Sequence, residues 1–342
     1  MLAAAAVPLA APGEALVPGA AEGAPRWLLG VYGGGLGLGG SAYLAVLTVA
    51  FVAYLGVAAT AETLGRRLVW GAIIALVAGF ALAPPLLSLD VFGYIAYARL
   101  GAEHGLNPYD AVPAALPGDP AASRVEDFRF AVSVYGPLFT LATYPLGLVG
   151  VPAALWALKA AAAAAVLGVA ALTARLAAAR GVSPCAAGAF VALNPLVLVH
   201  VVGGAHNDGL MVLGLVAASL ALFGSDVLNA LEVIGGNQSD SSHYSLPSTV
   251  SRITGLDLEP VRYAFLAAYA ALVAWLVAWT LRGGDWVRAA AWAGAGLLVA
   301  SAWLVPWYLI WALPFAAVAR DRVLVAVVLA ICAFQLPNAL PL

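Results

Sequence analysis

The chain has 342 residues, of which 64% are hydrophobic and 9% are charged, with a formal net charge of -2. Soluble domains are about half apolar and about a quarter charged, so this composition excludes an ordinary water-soluble fold and predicts a multi-pass protein of the cell membrane. The slightly acidic balance argues against nucleic acid as a partner.

The N-terminal stretch, residues 1–40, is rich in Ala, Gly and Pro. Its first part lacks the basic start, the compact apolar run and the cleavage site of a secretory signal. We therefore expect residues 1–40 to form a disordered, low-complexity tail, and residues 41–342 to form a single transmembrane domain.

Apolar segments of spanning length recur along the rest of the chain. A spanning helix needs about 20 mostly apolar residues, so the sequence predicts an all-α, polytopic helical bundle of about eight to ten spans. The outer loops, 88–135 and 224–262, are expected to carry short interfacial helices. The candidate spans are 42–61, 68–87, 152–174, 185–202, 263–281, 286–304 and 322–337, and the shorter or Pro-interrupted ones are 136–150, 209–223 and 307–319.

Arginines in four short turns predict the orientation, because cytoplasmic loops are enriched in Lys and Arg. If the four turns share the cytoplasmic side, the loop that opens at Asp90 and the aromatic turn 303–308 face outward. Two topologies stay open: either 136–150 dips into the membrane and 209–223 is re-entrant, or 136–150 crosses. The turns carry Arg66 and Arg67, Arg175 and Arg180, Arg282 and Arg288, and Arg320 and Arg322.

The first polar cluster opens at Asp90, directly after an apolar span and therefore at the boundary between membrane and water. One interpretation is that Ser88 or Asp90 caps a short interfacial helix, as small polar residues at that position commonly do. The other is that Asp90 is a general base that takes the proton from an attacking alcohol, a role that typically contributes about 10²–10⁴-fold in rate. A capping carboxylate is also held in place, so the two interpretations are compatible.

The second polar cluster is Gly-Gly-Ala-His-Asn-Asp-Gly at 203–209, at the end of another apolar run. Consecutive polar side chains at the end of a span are costly unless they are solvated or hydrogen-bonded. Asp208 could cap the next helix while His206 bonds at the boundary. Alternatively, the cluster could bind the sugar or the phosphate of a membrane-borne ligand.

Three further features have a general and a specific interpretation. Lys159 lies within a span, where it either extends towards the interface or pairs with a lipid phosphate. Trp307 and Tyr308 fit an aromatic belt or a wall that stacks on a sugar. Arg252 and the other arginines of the outer loops are either solvated or in contact with phosphate.

Taken in order, these motifs resemble those of bacterial GT-C membrane glycosyltransferases, especially the actinobacterial polyprenol-phosphomannose-dependent α-mannosyltransferases. The resemblance covers about two thirds of the chain. It is carried by Asp90-Val91-Phe92-Gly93-Tyr94, Asn107-Pro108-Tyr109, Tyr135-Gly136-Pro137-Leu138, Gly203-Gly204-Ala205-His206-Asn207-Asp208 and Pro306-Trp307-Tyr308.

The resemblance implies a GT-C helical fold whose active site faces outward. It also implies transfer of a sugar, expected to be mannose, from a polyprenyl-phosphate donor to a glycan or glycolipid acceptor, with Asp90 as the catalytic base. No cofactor and no metal are expected. The expected substrate-binding residues are Tyr94, Arg99, His104, Asn107, Tyr109, Tyr135, His206, Asn207, Asp208, Arg252, Trp307 and Tyr308.

Two other functions stay open at this stage. A transporter or flippase for lipids or solutes would carry ionisable residues near mid-bilayer and internal repeats. The sequence has no convincing repeat, and apart from Lys159 its charges gather at the ends of spans. A shortened, non-catalytic relative of the transferases is the third alternative, because only 210–223 separates the second polar cluster from the second outer loop.

Overall fold

The computed structural model describes residues 2–10, 25–33, 36–125, 128–218 and 241–339, and within these ranges it contains helices and no strands. The prediction of an all-α fold is confirmed. The helices are α1 (Leu2–Ala10), α2 (Gly40–Thr60), α3 (Arg66–Ala81), α4 (Asp90–Ala102), α5 (Pro137–Gly147), α6 (Val151–Ala179), α7 (Pro184–Ala192), a π-helix (Val197–Gly203), α8 (Asp208–Ala218), α9 (Leu246–Thr254), α10 (Leu258–Leu281), α11 (Trp286–Ala300), a 3-10 helix (Pro306–Trp311), α12 (Leu313–Val318) and α13 (Arg322–Phe334).

Three helices in the described part of the chain are long and apolar enough to cross a membrane, namely α2, α6 and α10. A fourth span results if α7 and the π-helix, which meet at a bend of 66°, count as one broken crossing. Within the described residues, helices of full spanning length are thus fewer than the eight to ten expected for the whole chain. Several predicted spans are shorter than their apolar segments, because turns and 3-10 segments interrupt them; 68–87, for example, yields the 16-residue α3.

The arginine-bearing turns at the ends of α6, α10 and α12 meet at one end of the bundle. Arg180 forms an ion pair with Asp285 and donates to the carbonyl of Val318. Arg320 reaches back to the carbonyl of Gly181 at 2.7 Å. In addition, Asp321 caps α13 and pairs with the guanidinium of Arg288 at 2.7 Å. These contacts join three of the four arginine-bearing turns, as expected if they share one side of the membrane.

Helix α6 connects this arginine-rich end to the opposite end of the bundle. Lys159, in the first half of the helix, bonds the carbonyls of Pro84 and Gly203 in the segments that lead to Asp90 and His206, whereas Arg180 follows the last residue of the helix. At 1.5 Å per residue the two positions lie roughly 30 Å apart, which is about the thickness of the hydrocarbon core. Helix α5 has only 11 residues, a length of roughly 16 Å, so it cannot cross. This favours the topology in which 136–150 does not span the bilayer.

Two predicted irregular regions contain regular structure. Residues 2–10, assigned above to a disordered tail, form α1, whose Val7 is buried and which packs against α2. The apolar composition of this stretch explains the packing, because it offers a face that a neighbouring helix can cover. The described part of the second outer loop, 241–262, holds α9 and the start of α10, whereas 224–240 lies outside the described residues.

Close packing between α4 and α5 generates the first testable prediction. A Cβ added at Gly147 would lie 2.6 Å from the carbonyl oxygen of Ala98, a backbone atom that cannot move aside cheaply. We expect Gly147→Ala to force the two helices apart and to cost about 1–3 kcal/mol of stability. The measurement is the thermal unfolding midpoint in detergent. Gly136→Ala at the other end of α5, where a Cβ meets nothing within 4 Å, is the matched control, and equal midpoints would contradict the packing.

Candidate active site

Two loops from distant parts of the sequence meet at the end of the bundle opposite the arginine-rich turns. The first leads from α3 to Asp90 and the second leads from the π-helix to Asp208. Their backbones touch where the amide of Leu86 donates to the carbonyl of Gly203 at 3.2 Å. Both loops contain a non-glycine residue with positive φ, Leu87 and Ala205, each at 57°. A left-handed conformation at such residues costs free energy and persists only where the surroundings impose it.

Asp90 is the first residue of α4, and its backbone amide bonds the hydroxyl of Ser88 at 3.1 Å. Its carboxylate is not engaged in capping. It turns instead towards the second loop, where Oδ2 lies 3.2 Å from Nδ1 of the fully buried His206. The approach is close enough for an ion pair when the ring is protonated, but it does not have hydrogen-bond geometry, and no described residue bonds either ring nitrogen. Both nitrogens of the His206 ring therefore keep a hydrogen-bonding capacity that no described residue uses.

An aromatic wall stands behind the pair. The 3-10 helix carries Trp307, whose ring stacks on His206 with a centroid distance of 3.8 Å and an interplanar angle of 17°. On the same helix, Tyr308 and Trp311 stack with centroids 4.1 Å apart. Side chains three apart on a 3-10 helix eclipse each other, which accounts for such neighbours within one short element. This segment of the sequence thus forms a continuous aromatic surface beside the acid and the imidazole.

Asp208 begins α8 and is buried. Its Oδ1 accepts a hydrogen bond from the indole Nε1 of Trp311 at 3.0 Å. Burial raises the pKa of Asp208 to about 6, although the neighbouring His206 and the bond from Trp311 oppose the rise. The carboxyl therefore changes its protonation state in the mildly acidic range, where it can act as a hydrogen-bond donor as well as an acceptor.

Helix α4 closes the site through Tyr94. Its hydroxyl lies 3.3 Å from both the side-chain oxygen and the backbone amide of Asn207, which ties α4 to the second loop. The ring meets Tyr135 and Phe139 edge-on, with centroids 4.7 and 5.1 Å away. Burial is the main cause that raises the pKa of Tyr94 well above its usual value, and the nearby carboxylate of Asp90 raises it further. The hydroxyl therefore stays protonated.

Residues 1–240 match the family described as alpha-(1->6)-mannopyranosyltransferase, N-terminal domain. The chain belongs to this family. The resemblance predicted from the sequence motifs is thereby confirmed.

Among curated proteins, the chain is 32% identical over 170 residues to alpha-(1->6)-mannopyranosyltransferase Rv1459c of Mycobacterium tuberculosis, which covers 43% of this chain and 26% of the relative. It is 28% identical over 181 residues to alpha-(1->6)-mannopyranosyltransferase A of Corynebacterium glutamicum, covering 48% and 34%. The protein of the same name from M. tuberculosis is 32% identical over 171 residues, covering 46% and 33%. The chain therefore matches only about a quarter to a third of each relative's length. No solved structure matches it.

The structure brings together eight of the residues predicted from the sequence and places the other five elsewhere. The eight that meet are Asp90, Tyr94, Tyr135, His206, Asn207, Asp208, Trp307 and Tyr308. Of the others, Tyr109 is nearest, because its hydroxyl bonds the carbonyl of Tyr135 at 2.8 Å. The side chain of Asn107 accepts from the amide of Tyr109 and so forms a turn.

Arg99 and His104, expected to bind substrate, belong to a separate ionic cluster around the buried Asp119. Arg99 contacts Asp119 at 2.7 Å and Glu103 at 2.6 Å, and His104 lies 3.4 Å from Asp119. Burial would raise the pKa of Asp119, but the bonds from Arg99 and from backbone amides outweigh it and lower that pKa. Glu103, His104 and Asp119 have ligand atoms within 4.8 Å of one another, yet the guanidinium of Arg99 already contacts both carboxylates, and we assign no metal there.

Arg252 is also placed apart from the Asp90 pair by its contacts. Its guanidinium bonds the carbonyl of His243 and the hydroxyl of Thr249, both close in sequence. It borders an open cleft of about 330 Å³, whose lining is otherwise formed by Ser241, Ser242, His243, Ser248, Ser251 and Leu258.

Sequence reasoning missed three polar contributors near this site. Trp311 was not among the expected substrate-binding residues, although it donates to Asp208. His200 lies on the π-helix 5.7 Å from the ring of Trp307, and no described residue bonds its nitrogens. Lys159 was expected to reach the interface or a lipid phosphate, but it is fully buried and bonds backbone carbonyls. A π-helix is rare and often marks a functional site, but its hydrogen bonding leaves no pattern in the sequence.

The raised pKa of Asp208 makes stability depend on pH. Between pH 4 and 6 the folded protein binds more protons at this carboxyl than the unfolded chain does, so the free energy of unfolding falls as pH rises through this window. Asn at position 208 cannot titrate. We therefore expect Asp208→Asn to lack the decrease of roughly 3 kcal/mol in the free energy of unfolding that the wild type shows across this window. Thermal midpoints of the wild type and the variant, measured from pH 4 to pH 7, provide the test. Parallel curves would show that Asp208 is not held in the environment described.

Proposed function

We propose that this chain transfers a mannosyl group from a polyprenyl-phosphate donor to a hydroxyl of a glycan or glycolipid acceptor, at the outer face of the membrane. The observation that carries the proposal is the 3.2 Å approach of Asp90 to His206 in a chain that belongs to the mannopyranosyltransferase family. The relatives' names supply the sugar and the reaction. The chemistry assigned to each residue below rests on its placement.

Asp90 is the proposed general base. The acceptor hydroxyl gives its proton to the carboxylate as its oxygen attacks the anomeric carbon of mannose. The bond between that carbon and the phosphate oxygen breaks, and polyprenyl phosphate leaves with the electron pair as a stable anion. Attack from the face opposite the phosphate inverts the anomeric centre. Because Asp90 is only partly exposed, its carboxylate is accessible to an alcohol and yet held by the first turn of α4.

His206 is the proposed partner of the leaving phosphate. Its ring is fully buried, and its two nitrogens have no hydrogen-bond partner among the described residues. A buried imidazole with free bonding capacity fits an anionic oxygen, since a hydrogen bond to a charged acceptor is stronger than one to a neutral group. The stacked ring of Trp307 fixes its orientation, so the donor N–H is in place before the charge develops.

The sugar is proposed to lie against the aromatic wall. Tyr308 and Trp311 present stacked rings that suit the apolar face of a pyranose. Asn207 and Asp208 lie at the edge of this wall, and amide and carboxyl groups are suited to hydrogen bonds with sugar hydroxyls. Residues that are far apart in the sequence would thus bind one pyranose ring, some at its face and others at its rim.

The outward orientation is supported by the two ends of the bundle. The arginine-rich turns joined by Arg180, Arg288 and Arg320 form one end, and arginine marks the cytoplasmic side. The Asp90 pair lies at the other end, roughly 30 Å away along α6. A donor whose lipid tail stays in the bilayer could reach Asp90 there without leaving the membrane.

The proposal predicts a large effect of one isosteric change. In protein reconstituted in liposomes with polyprenyl-phosphate-mannose and a short mannoside acceptor, Asp90→Asn should lower turnover at least about 100-fold, because an amide cannot take the proton. The measurement is the initial rate of mannoside extension.

The matched control is Asp110→Asn, which removes an exposed carboxylate from the same loop. Its turnover should stay within about twofold of the wild type, as is usual for surface substitutions. Equal rates for Asp90→Asn and the wild type would remove Asp90 from the chemistry. If the wild type transferred no sugar from any polyprenyl-phosphate donor, the proposed function itself would be wrong.

A further inference from the structure

The chain contains a single lysine among its 15 basic residues, and that lysine, Lys159, is fully buried inside the spanning helix α6. All the other basic residues are arginines. A charge within a membrane span is expensive and usually has a functional reason and an identifiable partner. No carboxylate pairs with Lys159 in the part of the chain that the structure describes. Its partners are backbone oxygens.

Those partners belong to the two loops that form the site. Lys159 Nζ donates to the carbonyl of Gly203 at 2.6 Å and lies 3.4 Å from the carbonyl of Pro84. Gly203 ends the π-helix and precedes His206 by one short turn. Pro84 leads into the segment that ends at Asp90. One ammonium group therefore bridges the segment that carries the acid and the segment that carries the imidazole.

The two loops need such a bridge, because both are strained. Leu87 and Ala205 have left-handed backbone conformations, one in each loop. These conformations are unfavourable for non-glycine residues unless the surrounding structure imposes them. An ammonium group also fits two converging carbonyls better than a guanidinium would, since it is compact and its donors point in three directions.

We propose that Lys159 is a positioning residue that holds the loops of Asp90 and His206 at their working separation. The inference rests on the proposed function, since the separation matters because of the transfer between the two groups. Lys159 touches neither the donor nor the acceptor. It acts through the backbone of Gly203 and Pro84, and a misplacement of about 1 Å can cost about 100-fold in rate.

Lys159→Met tests the proposal, because methionine nearly keeps the length and volume but cannot donate to a carbonyl. The substitution removes a buried charge, and the carbonyl of Gly203 still accepts from the amide of Leu86, so we expect an unchanged or higher thermal midpoint. Turnover, in contrast, should fall about 100-fold while the KM for the donor changes less than about threefold. A parallel fall of thermal midpoint and activity would indicate a role in folding only and would overturn the proposal.

The matched control lies on the same helix. Thr173 is as deeply buried, its hydroxyl has no partner among the described residues, and it is 14 positions further along α6, roughly 21 Å from Lys159. Thr173→Val should leave both the turnover and the KM unchanged. A loss of turnover equal to that of Lys159→Met would mean that any change in the interior of α6 disturbs the enzyme, and it would contradict a specific bridge.

A double-mutant cycle with Asp90→Asn identifies what Lys159 acts on. If its effect passes through the position of Asp90, adding Lys159→Met to Asp90→Asn should lower the residual rate by less than about threefold. A full further 100-fold loss would show that the two residues act independently, and the proposal would fail.

Hydrogen exchange separates this proposal from the proposed function, because it needs no activity. The amide of Leu86 bonds the carbonyl of Gly203, so loosening the bridge should speed its exchange in Lys159→Met at least about tenfold and leave it unchanged in Thr173→Val. Unchanged exchange in both variants would overturn the bridge. If the wild type transfers no mannose but Lys159→Met still accelerates exchange, the proposed function fails and the bridge between the loops stands.

Discussion

The site depends on two loops whose backbones approach within hydrogen-bonding distance at Leu86 and Gly203. This approach requires the paired glycines of the second loop. A Cβ at Gly203 would lie 2.5 Å from Cδ1 of Leu86, and one at Gly204 would lie 3.0 Å from the carbonyl oxygen of Leu86 and 2.8 Å from Cδ2 of His206. With any larger residue at either position the loops would separate. Since Asp90 ends the first loop and His206 lies within the second, their 3.2 Å separation follows from the same approach.

In a membrane, polar groups inside the bundle must find their hydrogen-bond partners within the protein, because lipid offers none. Unpaired backbone groups in a bilayer cost several kcal/mol each, so the bent pair formed by α7 and the π-helix needs donors where its helical bonding changes. Lys159 and the amide of Leu86 both serve the carbonyl of Gly203. The group that connects the loops thus also satisfies the end of an irregular helix. Irregular backbone at this depth is tolerated because protein surrounds it, and the same burial keeps His206 away from lipid.

The sequence was sufficient to single out the polar residues of the candidate site that stand beside spans, because polar side chains at the end of an apolar run are easily recognised. Asp90, His206, Asn207 and Asp208 were found in this way. The partner of each polar group was not predictable. The hydrogen bond from Trp311 to Asp208, for example, joins two helices that are far apart in the sequence, and no local pattern shows that they are neighbours. Lys159 was expected to reach the interface or a lipid phosphate, because its hydrophobic neighbours along α6 look the same whether lipid or protein covers them.

Arg99 and His104 illustrate the opposite limit. They lie within fifteen residues of Asp90, and proximity in sequence suggested a common site. The turn of α4 directs Arg99 away to Asp119, a residue that no motif had singled out. Helix lengths were overestimated for a related reason. An apolar segment indicates contact with lipid or with a protein core. The ends of the helices are set instead by turns and by capping residues such as Asp321.

The most direct test of the account is an experimental structure of the protein in lipid nanodiscs with a polyprenyl-phosphate-mannose. We expect the sugar-phosphate junction to lie beside the Asp90 and His206 pair, within reach of both side chains, with the pyranose against Tyr308 and Trp311 and the lipid tail leaving into the bilayer. A donor bound elsewhere, such as in the cleft beside Arg252, with Asp90 and His206 separated beyond the reach of one sugar phosphate, would contradict it.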